Sequence, residues 1–363
     1  MSTRNPTRAL IGVLTALLLG ATACCHPPAL PFLGSSPSAR PLPPAAAGPT
    51  SAPPRPSGTP LPKVTLTSLK NLDPYQRVGR LLHSQGTAVW WETDLVARWL
   101  EGPASFDRAV QRVALLSREP GTAGIKVADE LGYHDGLSTP AQAKQFLTDT
   151  RAALKAAAPH VPLLVDVVVL ELGCLPRSSG SIECVQHARA VAPAATYAAI
   201  TTYLQAGLID HLSVSTGLGV PDSYPGGDLA LAQNRAWSYI AQGPWPSLTV
   251  LQSRKALAVP NGYHGNTTQD VATFVTTPQS RGAKATDLWT WRQRYQGSVV
   301  SLFGNHPTQN PLWPALLAAR AQGAHLFTHM TPSEMPTNLA ALAAECQLAS
   351  QVFSDVFVAA GTG

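Results

Sequence analysis

The chain has 363 residues, a formal charge of +5 and only 13% charged side chains, against 45% hydrophobic ones. A basic excess this small and scattered argues against a nucleic-acid partner. The length exceeds the usual single domain, yet it accommodates an α/β barrel preceded by a tail.

Arg4 and Arg8 precede an apolar run over residues 9–19, followed by Gly20-Ala21-Thr22-Ala23-Cys24-Cys25. That is a positive n-region, an apolar h-region and small residues before a cleavage point. The run is shorter than the about 20 residues that span a bilayer. A cysteine straight after the small residues resembles the lipobox of bacterial lipoproteins. The resemblance implies removal of residues 1–23, lipidation of Cys24 and an extracytoplasmic protein anchored to the bacterial cell membrane. An ordinary secretory signal is the alternative, and it also exports the chain. Residues 24–62 are dense in Pro, Ala, Ser and Gly. They have few large groups to bury and are expected to form a disordered tether. Residues 63–363 are the expected folded domain.

Apolar β-type runs then alternate with helical patterns. Strands are expected over residues 87–94, 122–130, 162–170, 209–216, 247–253, 286–291, 298–303 and 325–329. Helices are expected over 106–117, 140–158, 194–206, 228–242, 267–277, 311–322 and 336–357. Pro140 behind Ser138-Thr139 marks one helix start. Residues 162–170 are almost purely aliphatic, as in a strand buried on both faces. Eight strands with mostly helical crossovers predict an α/β fold, a closed (β/α)8 TIM barrel. No Gly-rich phosphate loop follows the first strand, which disfavours an open doubly wound sheet.

Cys174 and Cys184 bracket a short polar loop, and outside the cytoplasm a disulfide closing it is expected. Cys25 and Cys346 are left over, either paired with each other or with Cys346 simply buried.

Strand side chains alternate between faces. By that rule Lys126 and Glu130 point into the barrel, as do Asp166 and the set His211, Ser213 and Ser215. Lys126 with Asp166 is an expected interior ion pair, because a buried charge needs a partner. Residues 129–136, Asp-Glu-Leu-Gly-Tyr-His-Asp-Gly, form the densest polar cluster. They follow a strand, at the end where barrel active sites gather. Glu92 and Asp94, Glu171, Arg254 and Lys255, His306 and His329 stand at other strand ends.

Paired carboxylates suit glycoside hydrolysis, one protonated to donate and one ionised to attack or activate water. Aromatic rings offer flat faces for sugars. On these residues the body resembles, in architecture, the glycoside-hydrolase superfamily of TIM barrels, without a family motif such as Asn-Glu-Pro. Without such a motif no nucleophile is carried over from the family; by their places at strand ends Glu130 is the expected proton donor, with Asp94 or Glu171 as its partner. Asp129, Tyr133, His134, Trp289, Trp291 and His329 are the expected substrate-binding residues. A carbohydrate or glycoconjugate is the expected ligand, with no cofactor. No HExxH is present, and His134 with Asp135 or His306 with His329 falls short of the three or four ligands zinc needs. The competing expectation is a non-catalytic lipoprotein that binds a ligand or partner on the same barrel.

Overall fold

The computed structural model describes residues 64–174, 181–218, 228–243, 245, 249–252 and 257–359. The signal, Cys24, Cys25, the tether, Arg254 and Lys255 lie outside the described residues.

Among the described residues there are ten strands: β1 (Ala88–Glu92), β2 (Thr122–Ala128), β3 (Leu163–Val168), β4 (His211–Ser215), β5 (Thr249–Gln252), β6 (Val259–Pro260), β7 (Ala285–Tyr295), β8 (Ser298–Ser301), β9 (Leu326–Met330) and β10 (Asp355–Ala359). Eight of them form one parallel ring in the order β5-β4-β3-β2-β1-β10-β9-β7, and β7 pairs back onto β5. The fold is therefore a closed (β/α)8 TIM barrel. Among the described residues the helices are α1 (Pro74–Ser84), α2 (Leu95–Glu101), α3 (Pro103–Leu116), α4 (Pro140–Ala157), α5 (Leu170–Gly173), α6 (Ser181–Val191), α7 (Tyr197–Gln205), α8 (Leu229–Ala241), α9 (Thr267–Val271), α10 (Thr277–Ser280), α11 (Leu312–Ala321) and α12 (Leu339–Val352). None is long and apolar enough to cross a membrane.

Two expected elements differ. Residues 298–303 were expected as the seventh barrel strand, but β8 runs antiparallel to β7, with Gln293 opposite Val300. Only Gln296 and Gly297 connect them, both at positive φ. Such a two-residue link closes a hairpin, whereas a parallel return needs a crossover of a dozen residues or more. Residues 336–357 were expected as one helix, but α12 stops at Val352 and β10 supplies the eighth barrel strand. Val356 and Val358 pack with the helix-facing core, and Phe357 with the barrel interior. That is the period of two of a strand.

The ring accordingly begins with a helix and closes with a strand. α1 opens on a capping box between Asp73 and Gln76 with Pro74 at its first position, which satisfies otherwise orphaned N–H groups. It packs against β1, β10 and α12. A disulfide joins Cys174 to Cys184 with the Cα atoms 5.7 Å apart, and Cys346 is a buried free thiol.

Candidate functional site

The barrel interior is stacked in layers set by strand periodicity. Trp90, Leu164, Ala285, Phe327 and Phe357 form an apolar floor. Two residues further along four of these strands stand Glu92, Asp166, Asp287 and His329. Alternation returns those side chains to the same face, one layer nearer the C-terminal mouth. Lys126 enters from β2, and its ammonium lies 5.4 Å from the centre of the Phe357 ring.

Lys126 Nζ donates to Asp129 Oδ1 at 2.8 Å and lies 3.4 Å from Glu92 Oε1 and 3.9 Å from Asp166 Oδ2. His329 Nδ1 is 2.8 Å from Glu92 Oε2, and its Nε2 is 2.8 Å from Asp287 Oδ2. β10 separates β1 from β9 in the ring. The Glu92–His329 contact thus reaches over β10 on the inner face of the ring, beside Phe357, whose ring centre is 4.8 Å from the imidazole.

Exposure grades across the cluster. Lys126, Asp166 and Asp287 are fully buried, the Glu92 side chain is 13% exposed and that of Asp129 56%. Burial alone would push Lys126 down, but Asp129, Glu92 and Asp166 raise it well above its ordinary value. Lys126 therefore stays charged and is no amine nucleophile. Burial likewise opposes the charge of His329, but Asp287 and Glu92 outweigh it and lift the imidazole to about 10. Burial would raise Glu92, yet Lys126 and His329 hold it below the usual carboxylate range. Asp166 goes the other way: burial drives it well up, and Lys126 offsets only part of that. Neither Asp166 oxygen, nor Ser213 Oγ, nor Asp287 Oδ1 has a hydrogen-bond partner among the described residues. The two carboxylates that flank one ammonium are thus pushed in opposite directions, Glu92 down and Asp166 up, the kind of separation that acid and base roles need.

The expected site residues fall into two groups. Asp129 and His329 join the charged layer. Asp129, one residue out of step with the inward pair Lys126 and Glu130, would face the helices by strict alternation, but β2 carries a register irregularity between Lys126 and Ala128 and ends there. The alternation no longer holds, and Asp129 folds back onto Lys126. Glu130, expected to point inward, follows in the left-handed region at φ 57° and is half-buried. His134 is exposed and also left-handed, and its ring lies 3.9 Å from that of the buried Tyr133. Gly132 lets this loop close on α7's approach, since a Cβ there would meet Ala194 at 2.6 Å. Asp135 ties the loop by accepting from the N–H groups of Gly132 and Leu137, and burial raises its pKa.

Asp94 and Glu171 do not join the cluster. Asp94 is exposed and caps α2 through the Ala97 N–H. Glu171 is buried in α5, paired with Arg189 at 2.5 Å and accepting from the Tyr197 N–H at the start of α7. Trp291 stands apart from the charged layer: it is 2% exposed among Phe303, Trp313 and Phe353, with Nε1 donating to Glu345 on α12. The register of β7 against β9 shifts between Leu288 and Arg292, so the alternation that puts Ala285 and Asp287 inside does not carry through to Trp291, which packs in the helix-facing core. Trp289 is 9% exposed and donates to Gln293. Glu92 and Asp287 belong to the interior set that sequence reasoning did not assemble; the recurring step from an apolar residue to an ionisable one two positions later was the available signal. Among the described residues no group of three or more His, Cys, Asp or Glu side chains could hold a metal ion.

No family model and no curated protein matches the chain. Solved structures give a distant likeness to TIM-barrel enzymes. The carboxyl transferase domain of Rhizobium etli pyruvate carboxylase with oxamate and biotin is 12% identical at a TM-score of 0.42, over 86% of this chain and 47% of that one. The same domain with 3-bromopyruvate is 12% identical at 0.39, over 84% and 45%. A 2,3-dimethylmalate lyase of the PEP mutase/isocitrate lyase superfamily is 11% identical at 0.35, over 79% and 81%. This chain thus spans less than half the length of the carboxylase domains it matches.

Proposed function

We propose that this chain is an extracytoplasmic protein held at the bacterial cell membrane by lipid on Cys24, and that its barrel mouth binds and hydrolyses a carbohydrate or glycoconjugate by carboxylate chemistry. The export half of the reading rests on the N-terminal pattern of residues 1–25. The chemical half rests on one observation: Glu92, ionised by two neighbouring cations, meets the more exposed Asp129 on Lys126 at the C-terminal end of the barrel strands. Barrel enzymes react at that end.

In this reading Glu92 attacks the anomeric carbon or activates water, and Glu130 donates the proton to the leaving oxygen. Asp129 is better suited to orienting Lys126 and contacting sugar hydroxyls than to donating, because one of its oxygens is engaged by the Lys126 ammonium at 2.8 Å. Two non-glycine residues in the left-handed region within one loop, Glu130 and His134, are the kind of backbone outlier that collects at functional sites. Trp289, Tyr133 and His134 are the aromatic residues proposed to border the sugar. The test is release of new reducing ends by the full chain from a panel of envelope and plant polysaccharides. Glu92→Gln and Glu130→Gln should each lower kcat at least 100-fold with the fold intact. Full turnover in either variant would remove that residue from the mechanism.

A non-catalytic carbohydrate-binding role is the second reading. It is favoured by the structural employment of Asp94 and Glu171, which leaves only Glu130 of the three carboxylates expected to carry the chemistry. Saturable binding with no bond cleavage by the parent chain would establish it.

A further inference from the structure

We propose that Asp287 and His329 are positioning residues for Glu92, forming a carboxylate–imidazolium arm that runs along the inner face of the ring, over β10, and fixes both the orientation and the charge of the carboxylate at the mouth. The inference rests on the reading of Glu92 as a reacting group and goes beyond it, assigning control of Glu92 to two residues that a substrate does not touch. His329 is 2% exposed and Asp287 fully buried.

The geometry suits a charged ring. Both imidazole nitrogens lie 2.8 Å from carboxylate oxygens, Glu92 on one side and Asp287 on the other. An ionised carboxylate only accepts, so a ring held between two ionised carboxylates donates from both nitrogens, as the imidazolium form does. The groups around the ring come from every neighbouring strand. Glu92 on β1, Asp287 on β7 and Asp166 on β3 are acidic, Lys126 on β2 is basic, and the Phe357 ring on β10 covers one face. Glu92 in turn faces Lys126, His329 and Asp129. Its second oxygen is oriented by the arm while the first faces Lys126. The direction of the shifts agrees: His329 is lifted to about 10 and Glu92 is lowered. Removing the Asp287 charge would leave one ring nitrogen without its acceptor, weaken the hold on the proton, and let Glu92 titrate at higher pH.

The experiment is an NMR pH titration of the full chain, following the ring nitrogens of His329 and the side-chain carboxyl of Glu92. In the parent both ring nitrogens should stay protonated from roughly pH 6 to 9, above the ordinary histidine range. In Asp287→Asn the ring should lose its proton within that range, and the Glu92 titration should move up by a unit or more. With a substrate in hand, the acid limb of kcat/KM should move up by the same amount with KM little changed, and Asp287→Glu should restore part of it. A neutral His329 at pH 7 in the parent, or an unmoved Glu92 in Asp287→Asn, would overturn the proposal. The parent spectrum decides the first point even if the variant does not fold. Should the titrations come out as expected while no glycan is cleaved, the arm stands and the hydrolytic reading falls.

Discussion

Trp90 and Glu92 share one face of β1, two residues apart, so the indole belongs to the barrel floor and the carboxylate opens the charged layer above it. The same step joins Leu164 to Asp166, Ala285 to Asp287 and Phe327 to His329. An apolar floor keeps water from the underside of the charges and leaves solvent to approach from the mouth, where Asp129 lies. Trp90 is itself pinned, its Nε1 donating to Asp355 at 3.0 Å and its ring edge-on to His211. Charges held on such a floor interact more strongly than they would in water.

Lys126→Met should be the most damaging conservative-volume change in the interior. It leaves Glu92 buried without one of its two cations, and breaking a buried pair by removing one partner costs about 3–5 kcal/mol. Asp129 is exposed enough to regain water and adds little to the loss. Urea unfolding should show the deficit at neutral pH and a smaller one in mild acid, where the stranded carboxylate takes up a proton. A variant as stable as the parent at pH 7 would mean that the ammonium does not balance this layer.

Stability should also carry a signature on the alkaline side. Folding raises His329 from its ordinary 6.5 to about 10. The folded state therefore holds a proton that the unfolded chain has released, and the contribution is complete below about pH 6.5 and lost as pH rises through about 10. The slope of unfolding free energy in that window approaches about 1.4 kcal/mol per pH unit. Glu92, whose pKa is lowered, contributes above its ordinary 4.5 and loses that contribution as pH falls. Denaturation curves of the parent and His329→Gln across the alkaline window should converge at high pH; parallel curves would exclude the assignment.

The barrel was legible because its signals are local and repeated: apolar runs of strand length, helix caps such as Thr139-Pro140, and alternation that placed Lys126, Asp166 and Ser213 inside. Its errors lie where local pattern is ambiguous. Val356 to Val358 suit a helix end or a strand equally, and only docking between β1 and β9 decides. The fold-back of Asp129 onto Lys126 was not foreseen because a register irregularity in β2 is invisible to a period-two count. Asp287 was missed because the expected strand over residues 286–291 was not divided into an inner and an outer face. Asp94 and Glu171 looked catalytic by position at strand ends, whereas a carboxylate there also suits a helix N-terminus, and capping prevailed.

The Cys174–Cys184 bridge has a separation of 10 residues. Closing a loop of that size restricts the unfolded chain by about 2–3 kcal/mol in the chain-entropy account. Cys174→Ala with Cys184→Ala should lower the unfolding free energy by that amount, and a reductant should have the same effect on the parent and none on the double variant. Cys174 is fully buried, so the truncation also leaves a small void. A loss beyond that range, seen in the double variant and not in the reduced parent, would be the share due to packing.

Asp166→Asn should separate the two ways in which a buried carboxyl can belong to this layer. Burial raises Asp166 well above its ordinary 3.8. The folded state then keeps a proton that the unfolded chain gives up, so this residue's contribution falls as pH climbs from about 3.8 toward the folded value. An amide is neutral at every pH and nearly the same shape. The variant should therefore match the parent or fall slightly below it near pH 4, and gain on it as pH rises toward 8. That gain would be read from paired denaturation midpoints. If Asp166 instead served as an anion for Lys126, the sign would reverse, because the amide would remove a counterion that counts more as pH rises. The 3.9 Å separation from Lys126 Nζ, against 2.8 Å for Asp129, favours the first outcome. The ammonium is already matched by Asp129 and Glu92, and a third charge in the dry interior has more to lose by desolvation than to gain from a shared partner.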